Sequence, residues 1–144
     1  MKRKNPDKVP FREDELRNPV EGLFPANEFV VKREVPFGLK RIDLIFKSKR
    51  NGQDIIAVEL KLRNWKRAVW QAVHNRQIAT YSYIALPEAT APPVDISLLN
   101  SLGVGLIVTD MKKARVLLPA QRSKYVNERL AKEVSSIVES YSHV

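Results

Sequence analysis

Cysteine is absent from the 144 residues, which removes disulfides and thiolate metal sites and fits a reducing compartment. Histidine is nearly as scarce, since His74 and His143 are too few and too scattered for a histidine-built zinc site. No apolar run approaches the length of a membrane span, and the opening "MKRKNPDKVP" lacks the apolar stretch of a signal peptide. The expectation is a cytoplasmic protein with no membrane partner. Internal repeats, linkers and low-complexity tracts are missing too. Neither "GLK" nor "GVG" extends into a phosphate-binding or nucleophile motif, which sets aside Rossmann, P-loop and serine-hydrolase readings.

What the chain has in excess is positive charge. Its 25 Lys and Arg outnumber 16 Asp and Glu, for a net charge of +9. A chain this basic is drawn to polyanions, of which nucleic acid is the commonest in a cytosol. The charge is also grouped. Lys2, Arg3, Lys4 and Lys8 form a basic arm, and Lys61, Arg63, Lys66, Arg67 and Arg76 crowd the middle. The apolar and charged contents, 44% and 28%, are ordinary for a globular chain of one domain. Residues 1–10 are read as a flexible basic arm and 11–144 as a single domain.

Periodicity then orders the elements. "FREDELRNPVEGLF" reads as a short broken helix, with Leu16, Val20 and Leu23 at helical spacing and Pro19 bending or dividing it. "NEFVVKREVPFG", "LKRIDLIFKSK" and "DIIAVELKLR" read as three strands, the last two flanking the hairpin signal "RNG". Asn64 caps a helix expected to run to about Thr80, followed by the strand "YSYIALP". A short helix, "DISLLNSL", has Asp95 as its N-cap and Gly103 as its stop. Two late strands, "VGLIVTD" and "ARVLLP", come next. From about residue 121 a C-terminal helix presents Val126, Leu130, Val134, Ile137 and Tyr141 on one face. The fold class is α/β, a mixed central sheet flanked by helices.

The hairpin fixes where its charges point, because a one-residue slip would reverse every side chain. Ile42, Leu44 and Phe46 share a face of one strand, and Ile56, Val58, Leu60 and Leu62 a face of the next. Both sets meet one core only if Leu44 lies opposite Val58 and Ile42 opposite Leu60. That register needs a three-residue loop of Arg50, Asn51 and Gly52, with Gly52 left-handed. Asp43 then faces Glu59 across the sheet, with Lys61 two residues along on the same side. Facing carboxylates destabilise a sheet unless something neutralises them. A divalent cation would do so, and carboxylate oxygens with positions left for water and phosphate suit Mg²⁺ or Mn²⁺. Without a cation, the three charges would be a salt-bridged polar face under a helix.

Asp43 in "RID" and Glu59 to Lys61 in "ELK" resemble the active-site motif of the PD-(D/E)XK, or restriction-endonuclease-like, nuclease superfamily. The order helix, three strands, helix, strand over residues 13–86 is similar to that family's core, with 87–144 as a C-terminal extension. Ile42 stands where the family has a proline. The resemblance implies an αβββαβ core and a metal-dependent deoxyribonuclease, an endonuclease of DNA repair, recombination or restriction. It implies that Asp43 and Glu59 hold Mg²⁺ or Mn²⁺, with the Leu60 carbonyl as a further ligand. Lys61 would orient the attacking water. Glu15 would be the added glutamate of the first helix, ahead of Glu21 and Glu34, and Gln71 the glutamine of the helix after the lysine. "QIATY" also fits a Gln-x-x-x-Tyr pattern of recombination-type members. Lys2, Arg3, Lys4, Arg63, Lys66 and Arg67 would grip the DNA backbone. Two other readings fit the sequence: a nuclease fold that binds DNA without cutting it, and a small regulatory protein forming a homodimer through the C-terminal helix.

Overall fold

A computed structural model of the chain describes residues 12–50 and 54–140. The basic arm with Lys2, Arg3 and Lys4, and the turn residues Asn51 and Gly52, lie outside the described residues.

The first segment is divided as its sequence demands. A 3₁₀ turn over Glu13–Leu16 runs into a five-residue helix, α1 (Arg17–Glu21). Pro19 is the third residue of α1, a position whose N–H has no partner inside a helix, so its missing donor costs nothing there. Leu16 and Val20 are buried, and Leu23 packs partly against the same cluster.

The strands β1 (Phe29–Phe37), β2 (Lys40–Ser48), β3 (Ile55–Leu60), β4 (Tyr81–Pro87), β5 (Gly105–Thr109) and β6 (Ala114–Leu118) form one sheet in sequential order. The pairs β1/β2, β2/β3 and β5/β6 are antiparallel, while β3/β4 and β4/β5 are parallel. Parallel neighbours need a crossover, and α2 (Trp65–Asn75) and α3 (Ile96–Leu102) supply the two. Asn64 accepts from the Arg67 N–H and Asp95 from the Leu98 N–H, while Gly103 ends α3 at φ 75°. The late strands extend the same sheet rather than forming a separate layer.

The β2/β3 register is the one the hydrophobic pattern requires, with Leu44 opposite Val58, Ile45 opposite Ala57 and Phe46 opposite Ile56. The facial pattern departs from expectation at one place. Leu44, Phe46, Val58 and Leu60 pack with Leu16 and Val20 of the N-terminal segment. Ile42 instead joins Val35, Ile45, Ile55 and Ala57 in a cluster closed by Val134 and Val138. The alternation therefore breaks at Asp43, and opposite it, between the pairs Arg33/Leu44 and Val35/Ile42, Glu34 has a φ of 53°. A left-handed residue turns the strand over, and both strands flip together. The face carrying Glu59 is not open either. It also carries Ile84, Leu86, Leu106 and Val108, and α2 and α3 cover it.

Two helix boundaries differ from the sequence reading. α2 stops at Asn75, not near Thr80, because Ile78 and Ala79 turn into the core and Thr80 pairs with the sheet. The Thr80 N–H donates to the Ile55 carbonyl at 2.8 Å, and its Oγ1 accepts from the Ile55 N–H at 3.0 Å. The C-terminal helix α4 (Glu128–Ser140) starts later than residue 121. Before it, Ser123 N–H donates to the Thr80 carbonyl and Asn127 N–H to the Gln77 carbonyl. Its apolar stripe is core: Val134 and Val138 are 3% and 1% exposed, Leu130 and Ile137 pack beside them, and Lys47 of β2 pairs with Glu139. Of the surface expected to build a homodimer, Leu130, Val134 and Ile137 pack within the chain, Val126 is exposed ahead of the helix, and Tyr141 lies outside the described residues. Among the described residues, no helix is long and apolar enough to cross a membrane.

Candidate active site at the β2–β3 fork

The ladder between β2 and β3 stops at Leu44 and Val58, and a side chain takes over from the backbone there. Asp43 Oδ2 accepts from the Leu60 N–H at 2.8 Å, where a backbone carbonyl would otherwise serve. The two strands part beyond this bond and make a fork. In a strand, one residue's N–H and C=O point to the same neighbour, so the Leu60 carbonyl is directed at the fork as well. Lys61 is held just past β3, its N–H donating to the Ala85 carbonyl of β4 at 3.0 Å.

Glu59 is the buried member of the site, at 2% exposure. Its Oε2 accepts from Asn75 Nδ2 of α2 at 2.6 Å, and it also hydrogen-bonds Asp43. Burial and the facing Asp43 carboxylate push the Glu59 carboxyl up to about 8, against the Asn75 amide and the Lys61 charge that lower it. At neutral pH Glu59 therefore keeps a proton that an isolated glutamate would have lost. Lys61 Nζ stands 3.7 Å from Glu13 Oε2 of the 3₁₀ turn. Asp43, Glu59 and Lys61 thus come together, although the expected pairs Asp43/Glu59 and Ile42/Leu60 are not part of the ladder, which ends at Leu44 and Val58.

The helix residues are placed less as expected. Glu15 turns to its own N-terminus, where its Oε1 accepts from the Arg12 N–H at 3.0 Å, and Glu13 takes the place beside Lys61. The reason is helix type. In a 3₁₀ turn residues i and i+3 eclipse, so Glu13 shares the side of buried Leu16. Glu21 is paired with Arg33 at 2.8 Å, and Glu34 lies 3.7 Å from Arg17. Gln71 lies one turn before Asn75 on α2, and its buried Oε1 has no hydrogen-bond partner. Asn75, which makes the contact with Glu59, was not singled out from the sequence. Its signal was a polar residue continuing the buried stripe of Ala68 and Ala72. Within "QIATY", Gln77 is exposed in the turn after α2 and Tyr81 begins β4, so the pattern is not on a helix. Arg63, Lys66 and Arg67 are all exposed at the start of α2.

Among the described residues, no group of three or more His, Cys, Asp or Glu side chains is arranged to hold a metal ion. The fork offers two carboxylates and one carbonyl. That all-oxygen set fits Mg²⁺ or Mn²⁺, which keep several waters and take few protein ligands. The raised pKa of Glu59, buried against the Asp43 carboxylate, marks a place where positive charge is favoured. The unpartnered Gln71 oxygen is a further neutral acceptor on the covering helix.

No protein-family model matches the chain. No curated protein matches it either. A solved structure of a protein of unknown function from Silicibacter pomeroyi is similar in fold, with a TM-score of 0.63 and 16% identity over 97% of this chain and 88% of that one. At that identity the likeness concerns the fold alone. The chain is therefore a mixed α/β protein of a six-stranded, helix-flanked type.

Proposed function

We propose that the chain is a metal-dependent nuclease that hydrolyses DNA phosphodiester bonds at the β2–β3 fork. The observation that carries this reading is the fork itself: the ladder opens where Asp43 takes the Leu60 N–H, buried Glu59 lies against Asp43, and Lys61 follows just past the end of β3. The order of 3₁₀ turn and α1, three strands, α2 and β4 supports a PD-(D/E)XK core. Glu59 beneath α2 and Lys61 beside Glu13 also meet the description of a polar face under a helix. A purely structural role, however, gives no reason to set two carboxylates against each other in a buried place.

Asp43, Glu59 and the Leu60 carbonyl would hold Mg²⁺ or Mn²⁺. Such an ion supplies Lewis-acid polarisation of the scissile phosphate and a lower pKa for an attacking water. The protein contributes orientation. The Leu60 N–H fixes the Asp43 carboxylate, and the Asn75 amide fixes that of Glu59. Glu59 gives up its proton when the pair takes up positive charge. Lys61 orients the attacking water and offsets charge that develops on the phosphorane, with Glu13 limiting where its ammonium can go. Arg63, Lys66 and Arg67 bind phosphates without reading sequence.

The test is to incubate the protein with plasmid and branched DNA in Mg²⁺, Mn²⁺ or chelator, beside Asp43→Ala and Lys61→Ala. Cutting that needs metal and is lost in both variants supports the site. Metal-dependent cutting that survives both substitutions contradicts it, and binding without cutting by the unaltered chain favours a non-cleaving DNA-binding protein.

A further inference from the structure

Trp70 lies on the outer side of α2, opposite the buried Ala68 and Ala72, and is 67% exposed. An indole holds 150–250 Å² of mostly apolar surface, and burying it is worth more than for any other side chain. The other tryptophan of the same helix, Trp65, packs partly against the core, which makes the exposure of Trp70 a property of its position. Its neighbours at i−4 and i−3 are Lys66 and Arg67, and Arg63 precedes the helix cap. Residues 62–87 contain no Asp or Glu, and among the described residues none of these three cations is in an ion pair. Lys66 Nζ sits over the Trp65 ring, 5.9 Å from its centroid, and not over that of Trp70.

An exposed aromatic face among unpaired cations is complementary to a ligand with flat rings and regularly spaced negative charge. We propose that this face of α2 binds single-stranded nucleic acid, with a base stacked on Trp70 and the flanking phosphates on Lys66, Arg67 and Arg63. Duplex DNA fits less well, because its bases are stacked on each other and offer only phosphates to a convex helix. An apolar protein partner would need an apolar surround, which the cations deny. The inference names the form of substrate for the nuclease reading and rests on that reading for its role. The binding itself does not require the fork.

The measurement is fluorescence anisotropy of a labelled oligothymidine, and of a duplex of equal length, in chelator so that nothing is cut. Trp70→Ala weakens single-strand binding by about tenfold, while Trp70→Phe keeps it within about threefold. Duplex affinity changes by less than about twofold in Trp70→Ala. Replacing Lys66 and Arg67 together with Ala weakens both ligands and lowers the single-strand salt slope by about 1.4. Binding is read in chelator and cutting separately in Mg²⁺, so a failed nuclease site and a failed stacking site give different results. The proposal is overturned if Trp70→Ala leaves single-strand affinity unchanged, if it weakens duplex and single strand equally, or if the unaltered chain binds no single strand. Trp70-dependent binding to anionic phospholipid vesicles in place of the oligonucleotide would also overturn it.

Discussion

Burial and the facing Asp43 carboxylate hold the proton on Glu59 up to about 8, and that has a consequence for stability with a definite sign. A folded-state pKa above the unfolded value means that the folded chain binds more protons between 4.5 and about 8. The cation-free protein therefore loses stability as pH rises through that window, by at most about 1.4 kcal/mol per pH unit. Urea titrations across the window should show the decline in the unaltered chain and a flatter profile in Glu59→Gln; equal profiles would contradict the proton held on Glu59. A second residue-level prediction separates two neighbours in sequence. Glu13→Ala frees Lys61 and lowers the rate of cutting by about tenfold, since an ammonium acts on a developing charge only when held in place. Glu15→Ala removes a cap and costs about 1 kcal/mol of stability with the rate unchanged. Rates and melting points of the two variants, compared side by side, would show the opposite pattern if Glu15 were the functional acid.

At the scale of elements, the parts that could be read from sequence were those governed by period and turn chemistry. The alternation in "RIDLIF" and "IIAVEL" sets the register as far as Leu44 and Val58; past that point Asp43 leaves the ladder and meets β3 through the Leu60 N–H. The caps at Asn64, Asp95 and Gly103 were equally legible, because each has a side-chain or backbone requirement. Other features had no such signal. A left-handed glutamate at Glu34 carries no local mark, so the flip that moves Ile42 into the other cluster was invisible. Residues 76–80 have helix-compatible composition, and only the pairing of Thr80 with Ile55 ends α2 early. The choice of Glu13 over Glu15 depends on a 3₁₀ rather than α-helical phase, which the sequence "EDEL" leaves undecided. A different element carries a tight steric demand. A Cβ on Gly105 of β5 would lie 2.3 Å from the Tyr83 ring and 2.7 Å from the Ala120 nitrogen. Gly105→Ala should destabilise the protein by about 1–3 kcal/mol in urea unfolding; an unchanged midpoint would contradict the close approach of β4 and the segment after β6.

At the scale of the molecule, the sheet is covered on both faces, by the N-terminal segment on one side and by α2, α3 and α4 on the other. The fork is where that closed arrangement admits buried charge, and α2 joins it to the exterior: Asn75 reaches Glu59 from its last turn, while Lys66, Arg67 and Trp70 face outward from its first turns. A net charge of +9 draws a polyanion toward such a surface, and salt should weaken the attraction. The nuclease reading stands or falls on whether Asp43 and Glu59 take up a divalent cation. The most direct measurement is calorimetric titration of the chain with Mn²⁺ at pH 7 in two buffers of different ionisation heat. Since Glu59 holds a proton there, uptake of one Mn²⁺ should release close to one proton, and both the binding and the release should vanish in Asp43→Ala and Glu59→Ala. Binding that is absent from the unaltered chain, or unchanged in both variants, would contradict the site.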